Sequence, residues 1–217
     1  MSSHPILWTF RRCPYAIRAR LALHLCNQKV ELREVLLRDK PPEFLQTSKT
    51  GTVPTLDLGE TVIDESLDVM IWALHQQDPE GLLDMPDEGW TLIETNDGPF
   101  KAALDHTKYQ TRFPDLDADE ERRKASAFLM ELNSRLTDQT WLFGERPTLA
   151  DFALLPFVRQ FAFIDRAWFD AQDWPALIGW LDRFLESAVF ADVMVKRAQW
   201  VVGHEPVLFP QVLDQAR

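Results

Sequence analysis

One cysteine stands where the chain changes character. Residues Phe10-Arg11-Arg12-Cys13-Pro14-Tyr15-Ala16-Ile17-Arg18 come after a short apolar run, Ile6-Leu7-Trp8-Thr9, that reads as a buried strand. Pro14 cannot extend a strand ladder, but it suits the first position of a helix, where its missing N–H costs nothing. Ile17, Leu21 and Leu25 then recur at helical spacing, with Arg18 and Arg20 off that stripe. Cys13 is therefore expected at a strand-to-helix junction, facing free backbone N–H groups and the positive end of a helix dipole. Both favour the thiolate, which is the reactive form. Arg11 and Arg12 add positive charge nearby. Position 16 is Ala, so no Cys-x-x-Cys dithiol pair is present. Cys26 would lie about 20 Å away at the other end of a continuous helix, too far to bridge. Packing is its default role.

Two further sites carry chemical potential. Pro54 falls after Gly51-Thr52-Val53 and just before a strand pattern. A cis bond there would turn the Val53 N–H and C=O out of the sheet to pair with an extended peptide. The sequence alone favours the ordinary trans form at a strand start. Glu65-Ser66 opens a helix whose stripe is Leu67, Met70, Ile71 and Leu74. There Ser66 can donate to an anion and Glu65 can accept from an ammonium group, which together suit an α-amino-carboxylate head. The same pair also makes an ordinary helix start.

The elements that must hold these residues alternate. Val30 to Val35 reads as a second strand, Pro41-Pro42 starts a short helical turn through Leu45, Gly51 to Leu58 turns into a third strand, and Gly59-Glu60 is a hairpin leading back through Thr61-Val62-Ile63. The order β-α-β-α-β-β-α predicts a mixed sheet flanked by helices. Pro79, Gly81, Pro86 and Gly89 then break the pattern and mark a linker. Beyond it the chain reads as helix and loop. Trp90 to Phe113 contains one helix interrupted or delayed by Gly98-Pro99; a second carries Ala125, Phe128, Leu129, Leu132 and Leu136. Thr148 to Phe163 is a third, with Pro156 inside; others hold Leu177 to Leu185 and Phe190 to Trp200, before an irregular tail. The expected domains are residues 1–77 and 89–217.

Composition narrows the classes. The 217 residues carry a net charge of −11. Residues 1–76 balance nine basic against nine acidic side chains, so all the excess lies beyond them. A nucleic-acid surface is not expected, and a small anion would meet less repulsion in the first part. No run approaches membrane-spanning length, no signal-peptide pattern opens the chain, and two cysteines make no disulfide framework. These features fit a reducing cytoplasm. The five histidines lack metal-ligand spacing, so no metal is assigned.

Taken together, strand–Cys13-Pro14-Tyr15-Ala16, Val53-Pro54, Glu65-Ser66 and an all-helical second half resemble the glutathione transferase family. The cysteine-type, omega-like branch fits best. Leu37-Arg38-Asp39-Lys40-Pro41 and Gly51-Thr52-Val53-Pro54 resemble its segments at matching spacing. Phe143 to Asp151 resembles the family's later motif, with Thr148 and Asp151 as a helix-capping box. The resemblance implies a thioredoxin-like α/β domain, an all-α domain and a glutathione site. Cys13 would be catalytic, meeting the glutathione sulfur. The Val53 main chain would pair with the cysteinyl part, Glu65 and Ser66 would hold the γ-glutamyl head, and Lys40 would reach the glycine carboxylate. Pro14 and Pro54 would be structural. It further implies a homodimer and a thiol or electrophile co-substrate. Tyr109, Phe113 and Trp168 are candidates for the co-substrate pocket, and Thr9 is the nearest hydroxyl to the cysteine. The activity implied is thiol transfer through a mixed disulfide. Conjugation to electrophiles and a non-catalytic role on the same scaffold are the alternatives.

Overall fold

The computed structural model describes residues 4–211. They divide into two compact units, one of residues up to Glu80 together with those from Ser187 on, the other of Gly81–Glu186.

The first unit begins with β1 (Ile6–Thr9), α1 (Pro14–Leu25), β2 (Val30–Glu34), α2 (Pro42–Thr47), β3 (Thr55–Asp57), β4 (Val62–Ile63) and α3 (Ser66–Gln76), in the expected order. β1 is parallel to β2 and antiparallel to β3, and β3 is antiparallel to β4. Alternation along β1 sends Leu7 and Trp8 to opposite faces. Leu7 lies in register with Leu32 and Leu56, and all three are buried. Trp8 packs instead with Phe44 of α2, Val35, Val53 and Ala16. The helix α1 is not amphipathic in the expected way. It is buried on nearly every side, and Arg18 and Arg20, which the stripe placed off the core, are only 1% and 2% exposed.

The second unit is helical. α4 (Asp87–Thr95) runs through a π-turn (Asn96–Phe100) into α5 (Lys101–Lys108). Gly98-Pro99 thus interrupts the helix and does not delay it. The wider turn accommodates Pro99, which has no N–H to give. α6 (Ala118–Leu136) buries the stripe read from the sequence, capped at its start by the Asp117 carboxylate. α7 (Leu149–Ala162) is buried along almost its whole length, followed by α8 (Arg166–Asp170) and α9 (Pro175–Leu185). Among the described residues no helix is long and apolar enough to cross a membrane.

From Ser187 the chain belongs to the first unit, whereas the sequence pattern carried the helical domain to residue 217. α10 (Ala188–Val193) ends seven residues before the expected Trp200. Past this helix the chain is irregular, with a turn at Val202-Gly203, until β5 (Leu208–Phe209) pairs antiparallel with β2 in a sheet ordered β4-β3-β1-β2-β5. The Trp200 ring meets Trp8 edge-on at 5.0 Å, and the Arg33 guanidinium lies over both rings. The apolar residues of this segment find partners on the sheet, and its backbone covers the edge that β2 would otherwise expose.

Candidate active site

Cys13 is the residue before α1, in extended conformation, with Pro14 at the first helical position. Its N–H is held by the Phe10 carbonyl at 3.1 Å, closing the turn from β1. The thiol is half-buried, and Sγ lies 3.7 Å from the Val53 carbonyl oxygen, to which it donates. Two residues forty apart in sequence thus meet. Cys26 is fully buried, and burial pushes its thiol up to about 12, which leaves it unreactive.

The Val53–Pro54 bond is cis, not the trans form the sequence alone favoured. An X-Pro bond has so little intrinsic preference that tertiary context decides. The Val53 N–H has no hydrogen-bond partner among the described residues. The loop before it is held by Asp64, which also precedes Glu65-Ser66. Asp64 Oδ1 accepts from Ser48 Oγ at 2.8 Å and from Thr55 Oγ1 at 2.7 Å, while Ser48 Oγ accepts from the Gly51 N–H at 3.1 Å. One carboxylate therefore fixes Val53 and the start of α3 together. Gly51 has φ +63°, and Lys40 Nζ comes within 3.9 Å of where a Cβ would stand on it. This places the Lys40 ammonium on the same loop.

Glu65 precedes α3 and is exposed, and Ser66 is the buried first residue of that helix. Arg18 Nε donates to Ser66 Oγ at 2.9 Å. The hydroxyl accepts from a buried cation, and its own proton can still be donated. Arg18 and Asp64 were missed by sequence reading. Two arginines inside Ala16-Ile17-Arg18-Ala19-Arg20-Leu21-Ala22-Leu23, a run otherwise wholly apolar, were the available signal for the first.

The remaining candidates separate. Thr9 is completely buried, and its hydroxyl accepts from Arg20, so it does not serve the cysteine directly. In the second unit Trp168 packs against Phe161, Trp174 and Arg122. Phe113 meets the His106 ring at 4.5 Å, and Tyr109 lies beneath Lys108 and Arg112. These contacts give each of the three a packing role within the second unit. Thr148 and Asp151 do form the capping box.

Residues 7–81 match the family model for the N-terminal domain of glutathione S-transferase, and residues 115–183 match the model for its C-terminal domain. Solved structures agree in fold. A glutathione transferase family member from Pseudomonas fluorescens, with two glutathione molecules bound, superposes with TM-score 0.76 at 17% identity over 88% of this chain and 92% of that one. A serine-to-cysteine variant of glutathione transferase F1 from poplar gives 0.73 at 16%, covering 89% and 97%. A possible glutathione S-transferase from Rhodopseudomonas palustris gives 0.73 at 20%, covering 90% and 100%. The two matched domains succeed one another in the family's order and span more than half of the sequence, on the fold its solved members share: this chain belongs to the glutathione transferase family.

Proposed function

We propose that the protein is a glutathione-dependent thiol transferase of the cysteine-type, omega-like branch. The observation that carries this reading is the half-buried Cys13 thiol at the start of α1, 3.7 Å from the Val53 carbonyl. A glutathione laid along Val53 as an added strand would present its own sulfur to that thiol. Lys40 would hold the glycine carboxylate. Glu65 would accept from the γ-glutamyl ammonium group, and Ser66 would donate to the neighbouring carboxylate.

The chemistry needs one nucleophile. The Cys13 thiolate attacks the glutathione sulfur of a mixed disulfide, R–S–S–G. The bond to R breaks, R–S⁻ leaves and takes up a proton, and Cys13–S–S–G remains. A second glutathione thiolate then attacks that disulfide, releasing glutathione disulfide and restoring Cys13–S⁻. No resolving cysteine is needed, in keeping with Ala16. Protein or small-molecule mixed disulfides, dehydroascorbate and quinone adducts are the co-substrate classes. The reading carries with it a homodimer in the cytoplasm.

Thiol-transfer and aryl-halide conjugation rates on one preparation test the proposal. Thiol transfer is expected to dominate. Efficient conjugation with negligible transfer would replace it with the conjugating reading.

Glu65→Ala is expected to raise the apparent constant for glutathione about tenfold, roughly 1.4 kcal/mol, by stranding the ligand's ammonium group. Glu65 is exposed, so the melting temperature should not move. Unchanged affinity in a folded variant removes Glu65 from the site.

A further inference from the structure

The turn that carries Cys13 is gripped by a buried arginine that the mechanism above does not use. Arg20 donates to three oxygens on three separate segments. Nη1 bonds the Thr9 hydroxyl at the end of β1, Nη2 the Arg11 carbonyl on the turn at 2.7 Å, and Nε the Val193 carbonyl at the end of α10 at 3.0 Å. Arg11, two residues before Cys13, is held from its other side as well. Its N–H donates to Glu34 Oε1 at 2.7 Å. Glu34 in turn receives the Trp200 N–H on its main-chain carbonyl at 2.8 Å.

We propose that Arg20 is a positioning residue for Cys13: it ties the turn bearing the thiol to the C-terminal segment and sets a fixed positive charge beside that turn. The inference rests on the reading of Cys13 as the reactive thiol. A methionine could fill the same place without the cost of burying a charge. What a guanidinium adds is a rigid fork that reaches all three oxygens at once, and the charge.

That charge persists at neutral pH. Burial pushes the Arg20 guanidinium down to about 10, while Glu34 and the Cys13 thiolate oppose the fall. The attraction is mutual, so the guanidinium favours the thiolate. The other charged groups facing it are Glu34 at the end of β2, Arg11 on the turn, and Asp192 and Arg197 from the C-terminal segment. Removing Arg20 would leave Glu34, whose negative charge disfavours a thiolate.

The test uses the full chain with Cys26→Ala throughout. The pH dependence of Cys13 alkylation by iodoacetamide is measured for the parent, Arg20→Met and Arg20→Lys, together with thiol-transfer kinetics. For Arg20→Met the alkylation midpoint is expected to rise by about half a pH unit or more. Arg20→Lys, which restores the charge without the fork, should bring the midpoint back while kcat stays low. A folded Arg20→Met whose profile overlays the parent overturns the proposal, and thiol transfer by the parent then leaves the Cys13 reading standing. A shifted profile in a protein that transfers no thiol does the reverse: positioning holds and the thiol-transferase reading falls. Should Arg20→Met not fold, Thr9→Val removes one anchor at constant shape. It is expected to lower kcat about threefold with KM for glutathione unchanged, and an unchanged kcat overturns the proposal.

Discussion

Cys13→Ser is expected to lower thiol transfer by roughly a thousandfold or more, because the variant has no sulfur with which to form the mixed disulfide. A hydroxyl at the same place can still donate a hydrogen bond to bound glutathione and favour its thiolate. Conjugation of an electrophile needs only that thiolate, so the variant should keep or gain conjugating activity. The direct readout is intact mass. Oxidised glutathione should add one glutathionyl group to the wild type, reversible by reductant. The Cys13→Ser protein should show none, although Cys26 is still present, because that thiol is buried and held protonated. A wild type that conjugates well, transfers poorly and carries no adduct would assign Cys13 to ligand orientation. If neither activity nor glutathione binding appears, the non-catalytic reading takes over.

Asp151→Ala should cost about 4 kcal/mol of stability, several times what a capping box alone contributes. The carboxylate accepts four hydrogen bonds. Oδ2 takes the Thr148 N–H at 2.8 Å and the Thr148 hydroxyl at 3.0 Å. Oδ1 takes the Leu142 N–H and the Trp180 indole N–H, each at 3.0 Å. Asp151 is fully buried, so removal strands every donor away from water. The loop before α7, the start of α7 and the middle of α9 lose their common anchor together. The melting temperature should fall by about 10 °C, with near-normal activity per folded molecule. Asp151→Asn should lie between, since the amide keeps one acceptor oxygen but turns an NH₂ toward the Thr148 N–H. Lost activity at unchanged stability would contradict a structural role.

The same residue has a pH signature. Burial pushes the Asp151 carboxyl above its ordinary value, and the four donors only partly offset this. The folded state therefore holds the proton more tightly than the unfolded state. The stability this linkage contributes is fully present below the unfolded value and is lost as pH rises through the folded one. Chemical denaturation of wild type and Asp151→Asn across that range should show the gap between them widening as pH falls. A gap that narrows would mean that the donors outweigh burial.

Local pattern was enough for much of the molecule. Pro14 after an apolar strand, Ile17 and Leu21 at helical spacing, the Gly59 hairpin and the α6 stripe all act within a few residues. Backbone sterics and periodicity determine such features before any tertiary contact forms. So the order of the first seven elements and the place of Cys13 before a helix were legible, while the capping box at Thr148 was reached through the resemblance. Cys13 and Val53 were each singled out in the sequence, but their contact is a tertiary fact, since nothing local joins residues forty apart. Tertiary structure alone decided the rest. Whether Val53–Pro54 is cis depends on its surroundings, because the two forms are close in energy. Arg18 and Arg20 look like solvent-facing charges on a helical wheel, yet each is buried because oxygens from distant segments satisfy it. Nothing local in the sequence joins Asp64, Ser48 and Thr55 until folding points their side chains at one another. The C-terminal segment looked like the end of a helical domain. Its apolar residues carry no address in their spacing, and an open sheet edge beside Trp8 and Arg33 decided where they pack.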